Sequence, residues 1–200
     1  TGSIIWADKY MLFLVTGGEI NVVAIYLSLI PCVIAYNYFF VVEADRVNAS
    51  IQHLWTIFDR LPYKGVQAES SKALRASNRA IRNSLLIYIA SAIVTGILMF
   101  IFLPQSYPLA LSGLVVAFLF VAVALLIYQI EYMTMYVTVQ LLSAAHLVLL
   151  FISFMILPNE TGYLPIIAGE TVLAFACYRV YRQAWAAPEY SLFWRRALAW

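Results

Sequence analysis

The sequence predicts an all-α, polytopic transmembrane bundle with five full spans, a partial or truncated first span and an amphipathic helical loop. The chain is 64% hydrophobic and 11% charged, whereas a soluble domain is about 45–50% apolar and about 25% charged. Several apolar segments approach the roughly 20 residues that a helix needs to cross a bilayer. Seven of the twelve Lys and Arg residues lie between 43 and 83. These observations predict an integral membrane protein whose 200 residues form a single bundle.

The basic segment 43–83 orients the other segments. Lys and Arg concentrate in short loops on the cytoplasmic side of a membrane, so we expect this loop to be cytoplasmic. The connections 104–108 (PQSYP) and 158–162 (PNETG) contain no basic residue and then lie outside. The aromatic and basic tail 182–200 is then cytoplasmic. Eleven of the twelve basic residues fall on one side, and Lys9 is the exception.

The first apolar run, 4–16, is too short to cross a hydrocarbon core of about 30 Å. The sequence does not begin with Met, and we expect this first run to be the cut end of a longer helix. Asp8 and Lys9 lie in its middle. Charges at membrane depth are costly and suggest function. The two residues therefore face an internal cavity or partner helix, or lie near the cytoplasmic interface of a helix whose start is missing.

The next span, 20–42, contains Pro31 and Asn37. Proline removes a backbone hydrogen bond and usually kinks a helix. We expect the polar Asn37 to face the interior with Asp8 and Lys9. The remaining predicted spans are 84–103, 109–128, 130–157 and 163–181.

Two further polar residues lie inside predicted spans. For His146, we favour a place in the bundle interior with a hydrogen bond to a neighbouring helix. Glu170 lies about a third of the way into the last span. It is expected to line the lumen of a transporter or to bond a neighbouring helix.

The basic loop should contain two helices. Apolar residues recur at helical spacing from 45 to 61, and the sequence 61–65 (LPYKG) breaks the pattern. A second helix is expected to start near 70–71. Its four basic residues share one face, which contacts lipid headgroups or a specific partner. The candidates for cytoplasmic partner or lipid contact are Arg46, Trp55, Lys72, Arg75, Arg79 and Arg82.

Motifs for other chemistry are missing from the sequence. His53 and His146 have no second ligand at metal-binding spacing, and Cys32 and Cys177 lie far apart in apolar segments. No phosphate-binding loop or Ser-His-Asp arrangement can be identified. The basic residues sit at helix ends, where topology explains them without nucleic acid. We therefore expect no enzyme activity, no cofactor, no metal and no nucleic-acid partner.

Three short runs carry a family resemblance: 6–10 (WADKY), 26–31 (YLSLIP) and 41–45 (VVEAD). They resemble the PelG-like exopolysaccharide transporters of the MOP flippase superfamily. The resemblance covers roughly 4–91, under half of the chain. Beyond it, only helix number and topology agree.

The chain departs from the family pattern in two ways. Ala44 and Arg46 stand where the family has a Thr and an aromatic residue. The family also has two six-helix lobes, whereas this sequence holds six apolar segments. The resemblance therefore implies a C-terminal six-helix lobe.

The resemblance implies transport of a polysaccharide rich in N-acetylgalactosamine, of the Pel type found in biofilms, across the bacterial inner membrane. The path would run between two lobes. The implied partners are a cytoplasmic glycosyltransferase and accessory membrane subunits of a synthase complex. The candidate residues of the substrate path are Asp8, Lys9, Asn37 and Glu170.

Two rival hypotheses remain at this point. A membrane scaffold without transport activity would recruit a cytoplasmic enzyme through the basic amphipathic loop. A small enzyme acting on lipid would need a cluster of carboxylates or histidines at the membrane interface, and the sequence shows none.

Overall fold

The computed structural model describes residues 2–17, 21–58, 60–157 and 163–198, and all regular structure in these ranges is helical. Within these ranges, five helical units are long and apolar enough to cross a membrane. The predicted all-α, multi-pass bundle is confirmed. The helices are α1 (Gly2–Thr16), α2 (Val22–Tyr38), α3 (Ala44–Ile57), α4 (Tyr63–Phe102), α5 (Tyr107–Tyr132), α6 (Tyr136–Ile156), α7 (Tyr163–Ala184) and α8 (Pro188–Leu198).

Helix α5 is the centre of the bundle. It is apolar on all sides, and 67% of its most apolar stretch is buried, as expected for a helix surrounded by others. It packs mainly against α7, α2 and α4. A Cβ on Gly113 would lie 2.7 Å from the Ser28 Oγ of α2. The glycine therefore permits a close approach of α2 and α5, a common role of small residues in membranes.

The segment 43–83 is not a loop between separate helices. A π-helical segment, Phe39–Glu43, joins α2 directly to α3. Helix α4 begins at Tyr63 rather than near 70–71 and continues for 40 residues, so it merges with the predicted span 84–103. Lys, Arg, Glu and Ala are good helix formers, so the change of polarity near residue 83 is not a helix boundary.

Helices α3 and α4 form a hairpin that packs through a stripe of small residues. The buried positions of α4 recur every three or four residues and belong mainly to Ser and Ala. They allow the larger apolar residues of α3 to approach closely. The buried stripe of α3 consists of Ala44, Val47, Ile51, Leu54 and Ile57.

The turn between α5 and α6 lies at 133–135, later than the predicted break at 129–131. Gln129 and Glu131 belong to the last turn of α5, because polar residues of good helix propensity do not end a helix. Thr134 has a φ of 57°, in the left-handed region that β-branched residues rarely adopt.

One end of the bundle carries the α3–α4 hairpin and α8, which packs against α4. We call it the basic end, because most of the described basic side chains lie there. The predicted tail contains the amphipathic helix α8 from Pro188, with Leu192 buried.

Candidate functional site

Asp8 and Lys9 lie in the interior of the bundle. Helix α1 packs against α6 and α5, and both side chains are buried. The Lys9 Nζ donates a hydrogen bond to the Asp8 Oδ2, so these adjacent residues pair with each other. The Lys9 Nζ also lies 5.6 Å from the centroid of the Phe120 ring, at the middle of α5. The alternative placement at a membrane interface is therefore wrong.

His146 and Glu170 form a second buried pair. The His146 Nδ1 lies 2.7 Å from the Glu170 Oε1, and neither side chain is exposed. His146 is the eleventh of the 21 residues of α6, so the pair joins α6 to α7 near the middle of the apolar layer. The expected hydrogen bond of His146 to a neighbouring helix is confirmed. Of the two alternatives for Glu170, the bond to a neighbouring helix is the one observed.

The two pairs belong to one cluster. The His146 ring packs edge-on against Phe120 with 4.8 Å between centroids, so Phe120 contacts both His146 and Lys9. The Tyr163 hydroxyl lies 3.5 Å from the Asp8 Oδ2 and donates to it. We call Asp8, Lys9, His146, Tyr163 and Glu170 the intramembrane cluster.

The charge of the intramembrane cluster depends on one proton. Asp8 and Lys9 neutralise each other, whereas an ionised Glu170 beside a neutral His146 leaves one negative charge. A proton on either member of that pair makes the cluster neutral, and burying net charge is costly. The Asp8 Oδ1 and the Glu170 Oε2 accept no hydrogen bond from the described residues. These two oxygens can therefore accept a further hydrogen-bond donor, or the cluster can reorganise its hydrogen bonds.

Gly169 explains how α6 and α7 come close enough for this pair. A Cβ on Gly169 would lie 2.4 Å from the Leu149 Cδ1 and 3.1 Å from its Cγ. Leu149 is about one helical turn from His146, and Gly169 precedes Glu170. Only a residue without a side chain fits this contact beside the pair.

Asn37 lies apart from the intramembrane cluster. Its side chain is exposed, so the expectation that it faces the interior of this bundle is wrong. The buried face of α2 carries Ser28, Cys32 and Ala35, and Asn37 projects from the opposite side. The polarity of a residue did not determine which face of α2 it occupies.

The candidate residues at the basic end have different environments. Arg46 forms an ion pair with Glu43 at 3.7 Å, and Lys72 one with Glu69 at 2.6 Å. Trp55 is half-buried and packs edge-on against Phe58. Among these candidates, Arg75, Arg79 and Arg82 are exposed and form no ion pair with a described residue.

Sequence reasoning missed a buried contact of Glu43. The Oε1 of this carboxylate accepts hydrogen bonds from the Tyr38 hydroxyl at 3.0 Å and the Asn83 Nδ2 at 2.9 Å. Glu43 thereby ties the π-helical segment to α4. A carboxylate directly after an apolar span was the available signal, and it was interpreted only as the end of that span.

A polar network near the basic end was also missed. The Ser77 hydroxyl donates to the Gln129 Oε1 at 2.8 Å and lies 2.9 Å from the Tyr181 hydroxyl. The Trp185 Nε1 donates to the main-chain carbonyl of Gln129 at 3.0 Å. These bonds join α4, α5 and α7 where α7 leaves the apolar layer. Residues so distant in sequence gave no signal.

The described part of the chain holds no group of three or more His, Cys, Asp and Glu residues placed to bind a metal ion. The intramembrane cluster is thus its main concentration of ionisable groups at membrane depth. Comparison of the chain with protein families, curated proteins and solved structures finds no match.

Proposed function

We propose that this chain is a membrane transporter, or the C-terminal lobe of one, and that the intramembrane cluster takes part in transport. The observation that carries the proposal is the burial of Asp8, Lys9, His146 and Glu170 between apolar helices. Ionisable residues at this depth mark substrate paths, ion paths and proton relays in membrane proteins.

Stability alone gives a weak reason for such a cluster. Replacing a buried ion pair by apolar residues of similar volume is often neutral or stabilising by about 1–4 kcal/mol. A bundle that needed only a packed core would be served as well by Leu or Phe at these positions. The presence of both pairs therefore supports a role in function.

The proposed substrate is a polysaccharide, a polymer of the Pel type rich in N-acetylgalactosamine. This part of the proposal rests on the resemblance of runs 6–10, 26–31 and 41–45 to exopolysaccharide transporters. In a two-lobed protein, the outward face of α2 would border the path between the lobes. Tyr26 and Asn37 are both exposed there and offer an aromatic face and an amide to sugar.

The orientation and partners follow from the same reasoning. Lys and Arg favour the cytoplasmic side, so we place the basic end in the cytoplasm of a bacterial inner membrane. A cytoplasmic glycosyltransferase would deliver the growing polymer at this end, and accessory membrane subunits would complete the complex. In this proposal, the chain itself carries out no covalent chemistry.

The proposal is tested by measuring exported polysaccharide in strains carrying Asp8→Asn or Lys9→Gln. Each change leaves one member of a buried pair without its opposite charge, and we expect export to fall while the protein stays in the membrane. Lys64→Gln is the matched control, because Lys64 is exposed and lies outside the cluster. Wild-type export in both Asp8→Asn and Lys9→Gln would remove the cluster from the transport path.

One observation favours the scaffold hypothesis as a second candidate. At the tip of the α3–α4 hairpin, a shallow pocket is lined mainly by aromatic and apolar residues. Tyr63, Tyr190 and Phe193 are exposed there. Exposed aromatic clusters are typical of protein interaction sites, so this surface could hold a cytoplasmic enzyme.

Surface variants separate the two candidates. Deleting 45–61 would remove the buried stripe of α3, so substitutions at the exposed tip are the better test. A scaffold carrying Tyr63→Ser and Phe193→Ser should lose its copurifying enzyme, while Asp8→Asn should not affect recruitment. If the chain is a transporter, the Asp8→Asn variant should lose export while the cytoplasmic enzyme stays bound.

A further inference from the structure

One exposed face of α4 runs without interruption from basic to apolar residues. At 100° per residue, the positions of Arg82, Ile89, Ile93 and Phe100 fall within about 40° of one another around the helix axis. All four side chains are exposed. Arg75 lies on the same face, two turns before Arg82. The face therefore combines a cationic end with an apolar stripe.

The dimensions of this face match those of a bilayer. The 20 steps from Arg82 to Phe102 rise about 30 Å along the helix axis, the thickness of a typical hydrocarbon core. Arg79 and Arg82 then lie at the level of the lipid headgroups when the apolar stripe is in the membrane, and Arg75 lies about 10 Å beyond Arg82. Arg75, Arg79 and Arg82 form no ion pair with a described residue, so their charge is available to a ligand.

The apolar part of the face borders a groove between α4 and α5. The groove encloses about 550 Å³, within the roughly 300–1,000 Å³ of small-molecule sites. In the half of the groove nearer to Arg82, Ile89 and Ile93 of α4 form one wall and Val115 and Phe118 of α5 form the other. The groove continues toward the opposite end of α4, where Phe100 lines it. Tyr88 closes the floor, with its hydroxyl donating to the Leu114 carbonyl at 2.6 Å. The groove offers a dry, lipid-accessible channel.

We infer that this face binds an anionic phospholipid, with its phosphate on Arg79 and Arg82 and an acyl chain in the α4–α5 groove. Charge complementarity selects this occupant, because Arg79 and Arg82 lie at headgroup level above the groove and form no ion pair with a described residue. Ile89 and Ile93 lie about 10 and 16 Å from Arg82 along the axis, within one leaflet.

The test is native mass spectrometry of the full-length protein, purified from membranes in mild detergent and titrated with phosphatidylglycerol or phosphatidylcholine. We expect retention of one phosphatidylglycerol with a clear preference over phosphatidylcholine. Each Arg near the membrane surface strengthens the binding of an anionic lipid by about fivefold, so Arg79→Gln with Arg82→Gln should reduce the preference by roughly thirtyfold. The matched control is Arg179→Gln with Arg182→Gln, which removes two charges from exposed positions of α7.

The groove is tested separately by Ile89→Ala with Ile93→Ala, which truncates its wall. Both residues are exposed, so folding should be preserved, and we expect several-fold weaker retention of both lipids. Val94→Ala with Leu98→Ala is the control, since these exposed residues do not line the groove.

Four results would overturn the inference. The first is equal retention of both lipids by the wild type. The second is an unchanged preference for phosphatidylglycerol in the Arg79→Gln and Arg82→Gln variant. The third is equal lipid retention by the Ile89→Ala and Ile93→Ala variant and its control. The fourth is complete displacement of phosphatidylglycerol by glycerol 3-phosphate, which would show that the site binds a soluble phosphate group and needs no acyl chain. Dimers that disappear in the groove variant while lipid retention persists would assign the groove to a second copy.

Discussion

The His146 Nδ1 and the Glu170 Oε1 lie 2.7 Å apart between α6 and α7, with both side chains fully buried. This contact links two membrane helices through groups that can exchange a proton. It also places an ionisable pair beside Phe120, which Lys9 contacts from α1. A change in this contact would therefore affect four helices, because the four residues lie on α1, α5, α6 and α7.

The first prediction concerns the energetic coupling of this pair. His146→Leu or Glu170→Leu alone should destabilise the protein by about 3–5 kcal/mol, because each leaves an uncompensated buried partner. The double variant should recover most of this loss. Thermal denaturation in detergent measures the stability, and exported polysaccharide should stay low in all three variants if the pair acts in transport.

Val148→Leu and Val172→Leu are the controls for this cycle. Both residues are exposed on the same two helices, and surface changes usually stay within about 0.5 kcal/mol. A double variant with the sum of the two single losses would contradict coupling between His146 and Glu170. Normal export by a stable double variant would restrict the pair to a structural role.

The second prediction compares two helical glycines. Gly169→Ala forces a Cβ against Leu149, and such overpacking typically costs about 1–3 kcal/mol. Gly96→Ala places its Cβ 3.7 Å from the Leu114 Cδ1, an ordinary contact, so the higher helix propensity of Ala should stabilise by up to about 1 kcal/mol. Opposite shifts in melting temperature are expected. Shifts of the same sign would contradict the tight α6–α7 contact.

The third prediction concerns the turn between α5 and α6. Thr134→Gly should raise the melting temperature, because it relieves a left-handed conformation that costs a non-glycine residue about 1–2 kcal/mol. Thr138→Gly should lower it, because Thr138 lies inside α6 and glycine is unfavourable there. If Thr134→Gly is the less stable variant, the bond from the Thr134 Oγ1 to the Met133 carbonyl outweighs the strain.

The fourth prediction concerns the buried carboxylate at the end of α2. Glu43→Leu should destabilise by about 1–3 kcal/mol for each donor left unsatisfied, since Tyr38 and Asn83 both donate to its Oε1. Glu43→Gln keeps an oxygen acceptor and should be milder. Denaturation of both variants in detergent checks the order. Equal losses would assign the effect to the charge, through Arg46, rather than to the hydrogen bonds.

The sequence was sufficient for the fold class because hydropathy and the distribution of Lys and Arg act over whole segments. The prediction of helix boundaries failed at junctions such as 43–83, where helix-forming polar residues continue a membrane helix into water. The burial of Glu170 and its bond to a neighbouring helix were foreseen as one alternative. The identity of its partner depends on how α6 and α7 pack, which a period of 3.6 residues does not determine. The prediction that Asn37 faces the interior was wrong for the same reason, because the packing of α2 determines which of its faces is buried.

The π-helical segment Phe39–Glu43 sets the angular alignment of a 36-residue helical unit. In an uninterrupted α-helix, 100° per residue would place the buried stripe of α3 about 90° around the axis from that of α2. A π turn accommodates one additional residue, which brings Val47, Ile51 and Leu54 back into line with Ala35 and toward α4. The segment therefore restores the rotational alignment of the two buried stripes. Losing one residue from it would rotate the buried stripe of α3 away from α4.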